Sequence, residues 1–158
     1  MADEVRLTKN KTIPFINTGT KDAPNWVRID KSTIFDLVVN PQSTSEDYIC
    51  YENAIEDITS YNPELDQEIV MNEGNPCYDF MFERFYNLPT GVNATIPTLI
   101  CFAGSAKKAW RVDDAVGLLG SMNTVEGKLT FTLQLGGSIQ RGTYTLGEDN
   151  APTFVSGT

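Results

Sequence analysis

GKLTFTLQLGGSIQRGTYTL, residues 127–146, has the clearest alternation of apolar and polar residues in the chain and is the strongest indication of its fold class. Every second residue of the first half is apolar: Leu129, Phe131, Leu133 and Leu135. The residues between them are polar: Lys128, Thr130, Thr132 and Gln134. Side chains of a strand point alternately to opposite faces, so this pattern predicts a strand with one buried face. Gly136-Gly137 is typical of a tight turn and predicts an antiparallel hairpin with the residues that follow.

Shorter runs rich in β-branched and aromatic residues predict further strands. They are WVRID (26–30), TIFDLVVN (33–40), DYICYENA (47–54), DITSY (57–61), LDQEIVMN (65–72) and TIPTLICFAG (95–104). The segment AWRVDDAVGLLGSMN (109–123) is consistent with a strand, a bulge or a broken helix.

One helix is expected between these strands. Asn75 is a favourable N-cap, Pro76 suits the first helical position, and Asp79 lies in the first turn. Apolar residues then recur at helical spacing and are expected to face the core: Cys77, Phe80, Met81, Phe85 and Leu88. Pro89 and Gly91 are expected to end the helix.

Many strands and one helix indicate a mainly β fold. We expect two packed antiparallel sheets, sandwich-like or barrel-like, with a flanking α-helix and an extended hairpin and terminal arms. The 158 residues are enough for one domain with a core. The expected organisation is an N-terminal arm at residues 1–24 with little core of its own, a β domain at 25–148 and a C-terminal tail at 149–158.

The formal charge of −9 is unevenly distributed along the chain. Residues 32–83 contain twelve carboxylates and no lysine or arginine, whereas the segments on either side are slightly basic. A groove that grips nucleic acid needs lysine and arginine contacts to phosphate, so this balance argues against such a groove. The acidic segment is either a solvated face or a surface against which a partner docks.

One side chain that many catalytic and metal sites need is missing from the sequence. Histidine is absent, which removes the usual catalytic triads, histidine bases and imidazole zinc sites, so neither enzyme activity nor a cofactor is expected. The spacing of Glu64, Asp66 and Glu68 is similar to a calcium loop, but Ile69 stands where that loop needs glycine and Asn75 stands at its twelfth position. The three carboxylates are therefore expected to form an acidic stripe on one face of a strand.

The cysteines and the N-terminus bear on the compartment. Cys50, Cys77 and Cys101 are odd in number and widely spaced, which favours reduced structural thiols. The chain has no run of eighteen apolar residues, and its first residues lack the layout of a secretion signal. A soluble protein made in a cytoplasm, without membrane contact, is expected.

The order of segments from residue 26 to residue 91 resembles the tail tube (major tail) proteins of long-tailed bacteriophages that infect Gram-positive bacteria. The features that carry the resemblance are Trp-x-x-Ile at 26–29, Asn-Pro followed by Tyr-Ile at 40–49, Tyr-x-Pro at 61–63, and Gly-Asn-Pro at 74–76 leading into the helix. The closing stretch, residues 127–146, resembles the family more loosely.

The resemblance implies a structural virion protein without catalytic residues. Proteins of this family form hexameric rings that stack into a hollow tube for passage of genomic DNA. The implied partners are other copies of the chain, the tape-measure protein, tail terminator and distal tail proteins, and double-stranded DNA that passes through without specific binding. A tail completion or connector protein and an acidic protein-binding module remain alternatives.

The resemblance also implies roles for parts of the acidic segment. Residues 42–62 are expected to form a hairpin that docks on a neighbouring ring or subunit. Its apolar anchors would be Tyr48, Ile49, Tyr51, Ile55, Ile58 and Tyr61. Asp66 and Glu68 are candidate lumen carboxylates, because negative charge on the wall repels DNA phosphate. The polar faces of residues 66–68 and 128–134 are the candidate lumen wall.

Overall fold

The computed structural model describes residues 4, 6, 7, 11–20, 22–148 and 151–157, and in these the chain forms twelve strands, one α-helix and one 3-10 turn. The first six strands are β1 (Ile13–Asn17), β2 (Trp26–Arg28), β3 (Asp36–Val38), β4 (Pro41–Glu46), β5 (Ile55–Tyr61) and β6 (Glu64–Val70). Helix α1 (Pro76–Asn87) and the 3-10 turn (Gly91–Ala94) follow. The remaining strands are β7 (Thr98–Cys101), β8 (Lys108–Val112), β9 (Val116–Asn123), β10 (Lys128–Gln134), β11 (Ile139–Leu146) and β12 (Pro152–Ser156).

The strands form two main antiparallel sheets and a separate hairpin. One sheet has six strands in the order β12-β11-β8-β7-β1-β2, and the other has four in the order β3-β6-β10-β9. Strands β4 and β5 pair only with each other. The predicted fold class, mainly β with packed antiparallel sheets and a flanking helix, is confirmed.

The main core lies between the two sheets and beneath the helix. The alternating apolar residues of β10 and the residue after it are all buried there: Leu129, Phe131, Leu133 and Leu135. From the six-stranded sheet, Ile16, Ile100 and Val112 belong to the same cluster. Burial of each such side chain contributes about 1.5–3 kcal/mol to stability, so the predicted alternation corresponds to a substantial apolar contribution to the core.

A second, smaller core lies on the opposite face of the six-stranded sheet. Phe15, Leu99 and Tyr144 are buried in it. Trp26 from one edge strand and Phe154 from the other edge strand both pack against this cluster. Because residues from both edges cover the same cluster, the six-stranded sheet is curled.

The predicted hairpin between residues 127 and 146 is wrong. Strand β10 lies in the four-stranded sheet and β11 lies in the six-stranded sheet, so Gly136-Gly137 carries the chain from one sheet to the other. The physical reason is that β10 has no free edge: β6 pairs along one side from Lys128 to Gln134, and β9 pairs along the other.

The expectation that residues 1–24 have little core of their own is wrong at residues 13–17. All five residues of β1 are buried, and β1 lies between β2 and β7. The short apolar run IPFIN is surrounded by polar turn formers, and its burial depends on pairing with β7, more than eighty residues away in sequence. Within the expected arm, residues 1–3, 5, 8–10 and 21 lie outside the described residues.

Three other strand expectations are resolved by the structure. Residues 47–54, expected as a strand, form turns and bends. Residues 109–123, for which three interpretations were open, form the end of β8 and all of β9. Within the expected C-terminal tail, residues 152–156 form β12, which pairs with β11, whereas residues 149, 150 and 158 are outside the described part. The division of the chain at 24/25 and 148/149 stays a prediction.

The predicted helix is confirmed, with one difference. The Asn75 side chain accepts hydrogen bonds from the backbone N–H groups of Cys77 and Tyr78, and Pro76 occupies the first turn. Cys77 and Met81 are buried, but Leu88 is exposed rather than part of the inward face. Leu88 is the C-cap in the left-handed conformation (φ 47°), which directs its side chain away from the helix face that packs on the core.

Substitution of Asn75 tests the contribution of this cap. We expect Asn75→Ala to lower the free energy of unfolding by about 1 kcal/mol, because two helical N–H groups lose their acceptor. Asn75→Ser keeps a capping oxygen, so its free energy of unfolding should fall by less than that of Asn75→Ala. It still loses the hydrogen bond that the Asn75 amide donates to Asp30 at 3.0 Å. Urea denaturation followed by circular dichroism measures both; an unchanged midpoint for the alanine variant would contradict the cap's role.

The three thiols should differ in reactivity. Burial raises the pKa of Cys77 to about 12, with the nearby Asp30 carboxylate adding to the effect, and burial raises the pKa of Cys101 to about 12. Cys50 is exposed. Since the thiolate is the reactive form, we expect a disulfide reagent at pH 8 to modify one thiol per native chain and three per unfolded chain. Rapid modification of two or three thiols in the native protein would refute this.

Candidate assembly surfaces

The segment predicted to dock, residues 42–62, lies in a hairpin that stands apart from both sheets. Its strands β4 and β5 pair from Pro41 and Tyr61 to Glu46 and Ile55, with an irregularity near Gln42. Every residue of both strands is exposed. A two-stranded hairpin is only marginally stable in water on its own, so this one gains little from its own pairing.

The hairpin exposes large apolar side chains. The six residues predicted as anchors each leave 42% or more of their surface in solvent: Tyr48, Ile49, Tyr51, Ile55, Ile58 and Tyr61. Tyr48 and Tyr51 contact each other edge to face in the turn, with ring centroids 6.3 Å apart. Single exposed apolar residues are ordinary, but six large ones within one short segment are more than scattered exposure gives, so the hairpin is a candidate interaction surface.

The same hairpin is strongly acidic. Residues 41–61 contain five carboxylates and no lysine or arginine, namely Glu46, Asp47, Glu52, Glu56 and Asp57. All five are exposed. We call residues 41–61 the acidic hairpin.

The candidate lumen residues lie on the outer face of the four-stranded sheet. In β6, Leu65, Gln67 and Ile69 point into the core, so Asp66 and Glu68 point away from it. Strand register places Thr132 opposite Asp66 and Thr130 opposite Glu68. The structure therefore brings the two carboxylates and the polar side of β10 onto one face.

Hydrogen bonds and one ion pair hold these side chains in place. Thr132 Oγ1 donates to Asp66 Oδ1 at 2.6 Å, and Thr33 Oγ1 donates to Glu68 Oε1 at 2.9 Å. Lys128 Nζ lies 3.8 Å from Glu68 Oε1, so the lysine shares this face with the carboxylates. An exposed pair of this kind contributes little to stability, about 0–1 kcal/mol.

A further carboxylate on this face was not found from the sequence. Asp36 in β3 lies directly opposite Asp66 in the strand register. Like charges directly opposite each other on neighbouring strands are destabilising. We call the group Asp36, Glu64, Asp66 and Glu68 the acidic sheet face. Only the register of β3 against β6 reveals that Asp36 belongs to it, and a single sequence does not contain that register.

Both edges of the four-stranded sheet are available for pairing in the described part of the chain. Strand β3 pairs with β6 alone. Exposed apolar residues lie within β3 and directly before and after it: Ile34, Phe35, Val38 and Val39. At the other edge, Val116 of β9 makes a bridge to Thr95, but the rest of β9 pairs only with β10. Exposed strand edges are templates for pairing with another chain.

The described residues offer little that suits small-molecule or metal chemistry. A shallow depression of about 420 Å³ lies beside α1 and is lined in part by Glu83, Arg84 and Asn93. Burial lowers the pKa of Arg84. Among the described residues, no three cysteine or carboxylate side chains converge to hold a metal ion. No helix in that part of the chain is long and apolar enough to cross a membrane.

Sequence comparison finds no protein-family model and no curated protein that matches this chain. Solved structures do match. A chain from the cryo-EM structure of an extracellular contractile injection system, the PVC sheath/tube terminator in its extended state, aligns with a TM-score of 0.53 and 10% identity over 89% of this chain and 99% of the other.

A chain from the cryo-EM structure of the anti-feeding prophage cap, a tube-terminating cap, aligns with a TM-score of 0.52 and 12% identity over 90% of this chain and 95% of the other. A chain from the anti-feeding prophage baseplate aligns at 0.46, with 12% identity over 89% and 96% of the two chains. At such low identity, the first two alignments establish a common fold. The chain therefore shares its fold with a chain from the injection-system terminator structure and a chain from the anti-feeding prophage cap structure.

Proposed function

We propose that this chain is a structural subunit of a phage tail or tail-like particle that assembles into rings, and that the rings stack into a tube for passage of DNA. The observation that carries the proposal is the acidic hairpin, whose large apolar side chains are exposed and belong to neither core cluster of the described monomer. The fold shared with terminator and cap chains supports a role in a tail-type assembly.

The hairpin needs a second subunit to bury its apolar residues. Transfer of apolar surface out of water yields about 25 cal/mol per Å², so several half-exposed Tyr and Ile side chains together provide a substantial driving force for association. Within the monomer the hairpin adds no strand to either main sheet, because β4 and β5 pair only with each other.

Ring closure follows from the open edges of the four-stranded sheet. If β9 of one subunit pairs beside β3 of the next, both exposed edges are removed, and the exposed apolar residues around β3 are covered. Six such steps would give the hexameric ring expected from the family resemblance. Closed cyclic symmetry is the usual outcome of a repeated head-to-tail contact.

The acidic sheet face is then the wall of the lumen. It carries four carboxylates, and the lysine on it is already 3.8 Å from one of them. A wall of this charge repels the phosphates of passing DNA, whereas free lysines would bind them. The repulsion between Asp36 and Asp66 within the monomer fits a face selected for transport rather than for stability.

The proposal places the protein in the virion after synthesis in the host. Its partners would be other copies of itself, a tape-measure protein inside the tube, and tail terminator and distal tail proteins at its ends. A second candidate is a terminating or connecting ring, which the terminator and cap structures favour. A tube protein forms long stacks, whereas a terminating ring stops after one layer.

Negative-stain electron microscopy over a concentration series tests the proposal and separates the two candidates. We expect ring-shaped particles that stack into tubes as concentration rises; single rings at all concentrations would favour the terminating ring. A monomer at every concentration, verified by sedimentation, would contradict both.

Substitutions in the hairpin test its role in stacking. We expect Tyr48→Asp combined with Ile55→Asp to abolish stacking, because each new carboxylate would have to be buried in the contact between subunits. Both residues are exposed in the monomer, so the circular dichroism spectrum should stay that of the wild type. Val125→Asp, at an almost fully exposed turn residue outside the hairpin, is the matched control and should assemble normally. Tubes formed equally well by the double variant would rule out the hairpin as the contact.

Charge reversal on the acidic sheet face tests the lumen assignment. Assembled wild-type protein should not bind a short DNA duplex, whereas Asp36→Lys combined with Asp66→Lys should bind it. Each phosphate that the new lysines neutralise should steepen the dependence of log affinity on log salt by about 0.9. Glu73→Lys combined with Glu126→Lys changes the net charge equally at two exposed turn residues outside the strands of this face, so equal DNA binding by that control would refute the assignment.

A further inference from the structure

One exposed region of the six-stranded sheet combines positive charge with an aromatic surface. Along β8 and β11, the face that carries the main core continues past Val112 and Ile139 to Trp110 and Arg141. The guanidinium of Arg141 lies 5.9 Å from the centre of the Trp110 ring. The Phe102 ring contacts Trp110 edge to face, with 5.2 Å between the ring centroids. This end of the sheet extends beyond the area covered by the main core.

A groove of about 480 Å³ runs over this end of the sheet. We call it the basic groove. Its walls come from β8, β11 and β12, and the residues used below are Lys108, Trp110, Arg141, Thr143 and Val155. Strand register shows that Lys108, Thr143 and Val155 form one row across the three strands.

The basic groove contrasts with the rest of this acidic protein. Its lining includes Lys108 and Arg141 and no carboxylate. Within the described part of the chain, neither cation takes part in an ion pair. Val155 exposes 55% of its surface beside them, and β12 forms the edge of the sheet, paired only with β11. The groove thus offers two cations, an aromatic ring, an exposed aliphatic residue and an open backbone edge.

We propose that the basic groove of one subunit receives the acidic hairpin of a second copy of this chain. The inference rests on the proposed function, because it specifies the surface against which the hairpin docks. The five carboxylates of the hairpin match the two cations of the groove, and its exposed Ile and Tyr side chains match Trp110 and Val155. Complementary charge of this kind fixes orientation and register, while the apolar contacts supply affinity.

The two surfaces do not meet within one chain, because every residue of the hairpin strands is exposed. Strands β4 and β5 pair only with each other, and β12 pairs only with β11 among the described residues. Each subunit therefore carries one donor surface and one acceptor surface at different places. A contact between unlike surfaces repeats from copy to copy, and it either closes into a ring or continues as an open assembly. Since ring closure is assigned to the edges of the four-stranded sheet, the contact between hairpin and groove is assigned to the stacking of rings.

Charge reversal in the purified full chain tests this pairing. We expect Lys108→Glu combined with Arg141→Glu to stop assembly at isolated rings, with loss of the tube fraction in sedimentation and electron microscopy. Reversal on the hairpin, Glu56→Lys combined with Asp57→Lys, should cause the same loss. The four substitutions together in one chain should restore tubes, which also shows that the variants fold.

The matched control is Lys11→Glu combined with Lys31→Glu, which makes the same change of net charge at two exposed lysines outside the groove. Tubes should form as in the wild type. If the groove variant assembles as well as this control while wild-type protein forms tubes, the groove assignment is overturned and the proposed function stands. If wild-type protein forms neither rings nor tubes, both are overturned.

Cross-linking gives a second readout that does not depend on charge. Cys50 is exposed at the tip of the acidic hairpin, and Thr143→Cys places a second accessible thiol in the basic groove. Mild oxidation of assembled protein should yield a ladder of disulfide-linked chains on a non-reducing gel, and Cys50→Ser should abolish it. Val125→Cys, at an almost fully exposed turn residue outside both proposed contacts, should yield no ladder; an equal ladder from it, or none from Thr143→Cys, would overturn the pairing.

Discussion

The burial of β10 between two partner strands is the constraint on which the rest of the structure depends. Its apolar side faces the core, and β6 and β9 occupy both of its edges. The chain therefore cannot turn back and pair with it, and the strand that follows must enter the other sheet. The same pairing turns the polar sides of β6 and β10 outward together, which creates the acidic sheet face.

The features that could be predicted from the sequence are those decided by near neighbours. The alternation of Leu129, Phe131 and Leu133 predicts a half-buried strand, and Asn75 followed by Pro76 predicts the start of a helix; both follow from geometry within a few residues. Residues 13–17 are not recognisable as a core strand, because the run is short and depends on β7, far along the chain, to bury it. Residues 152–156 form a short edge strand without a fully buried residue, so they lack a clear apolar pattern. The crossing at Gly136-Gly137 was missed for a related reason, since its composition suits a hairpin and only the occupied edges of β10 exclude one.

The candidate surfaces also divide into those visible in one segment of sequence and those that depend on distant segments. The acidic hairpin was found from composition, because unbroken negative charge with interspersed tyrosine and isoleucine is visible in one segment. Asp36 and the basic groove were not found. Each depends on strands far apart in sequence that meet side by side: β3 with β6 in one case, and β8, β11 and β12 in the other.

The order of the strands also decides when this protein can fold during synthesis. In the six-stranded sheet Ile13 pairs with Cys101, and in the four-stranded sheet β6 pairs with β10. Neither main sheet can therefore form until most of the chain has left the ribosome. Sheets built from such distant pairs form slowly, and their unpaired strands are exposed in the meantime. The acidic hairpin involves only residues 41–61, which are synthesised well before either main sheet can close. Its five carboxylates are then present on every nascent chain, and they oppose close approach of two chains during the interval when unpaired strands are most prone to aggregate.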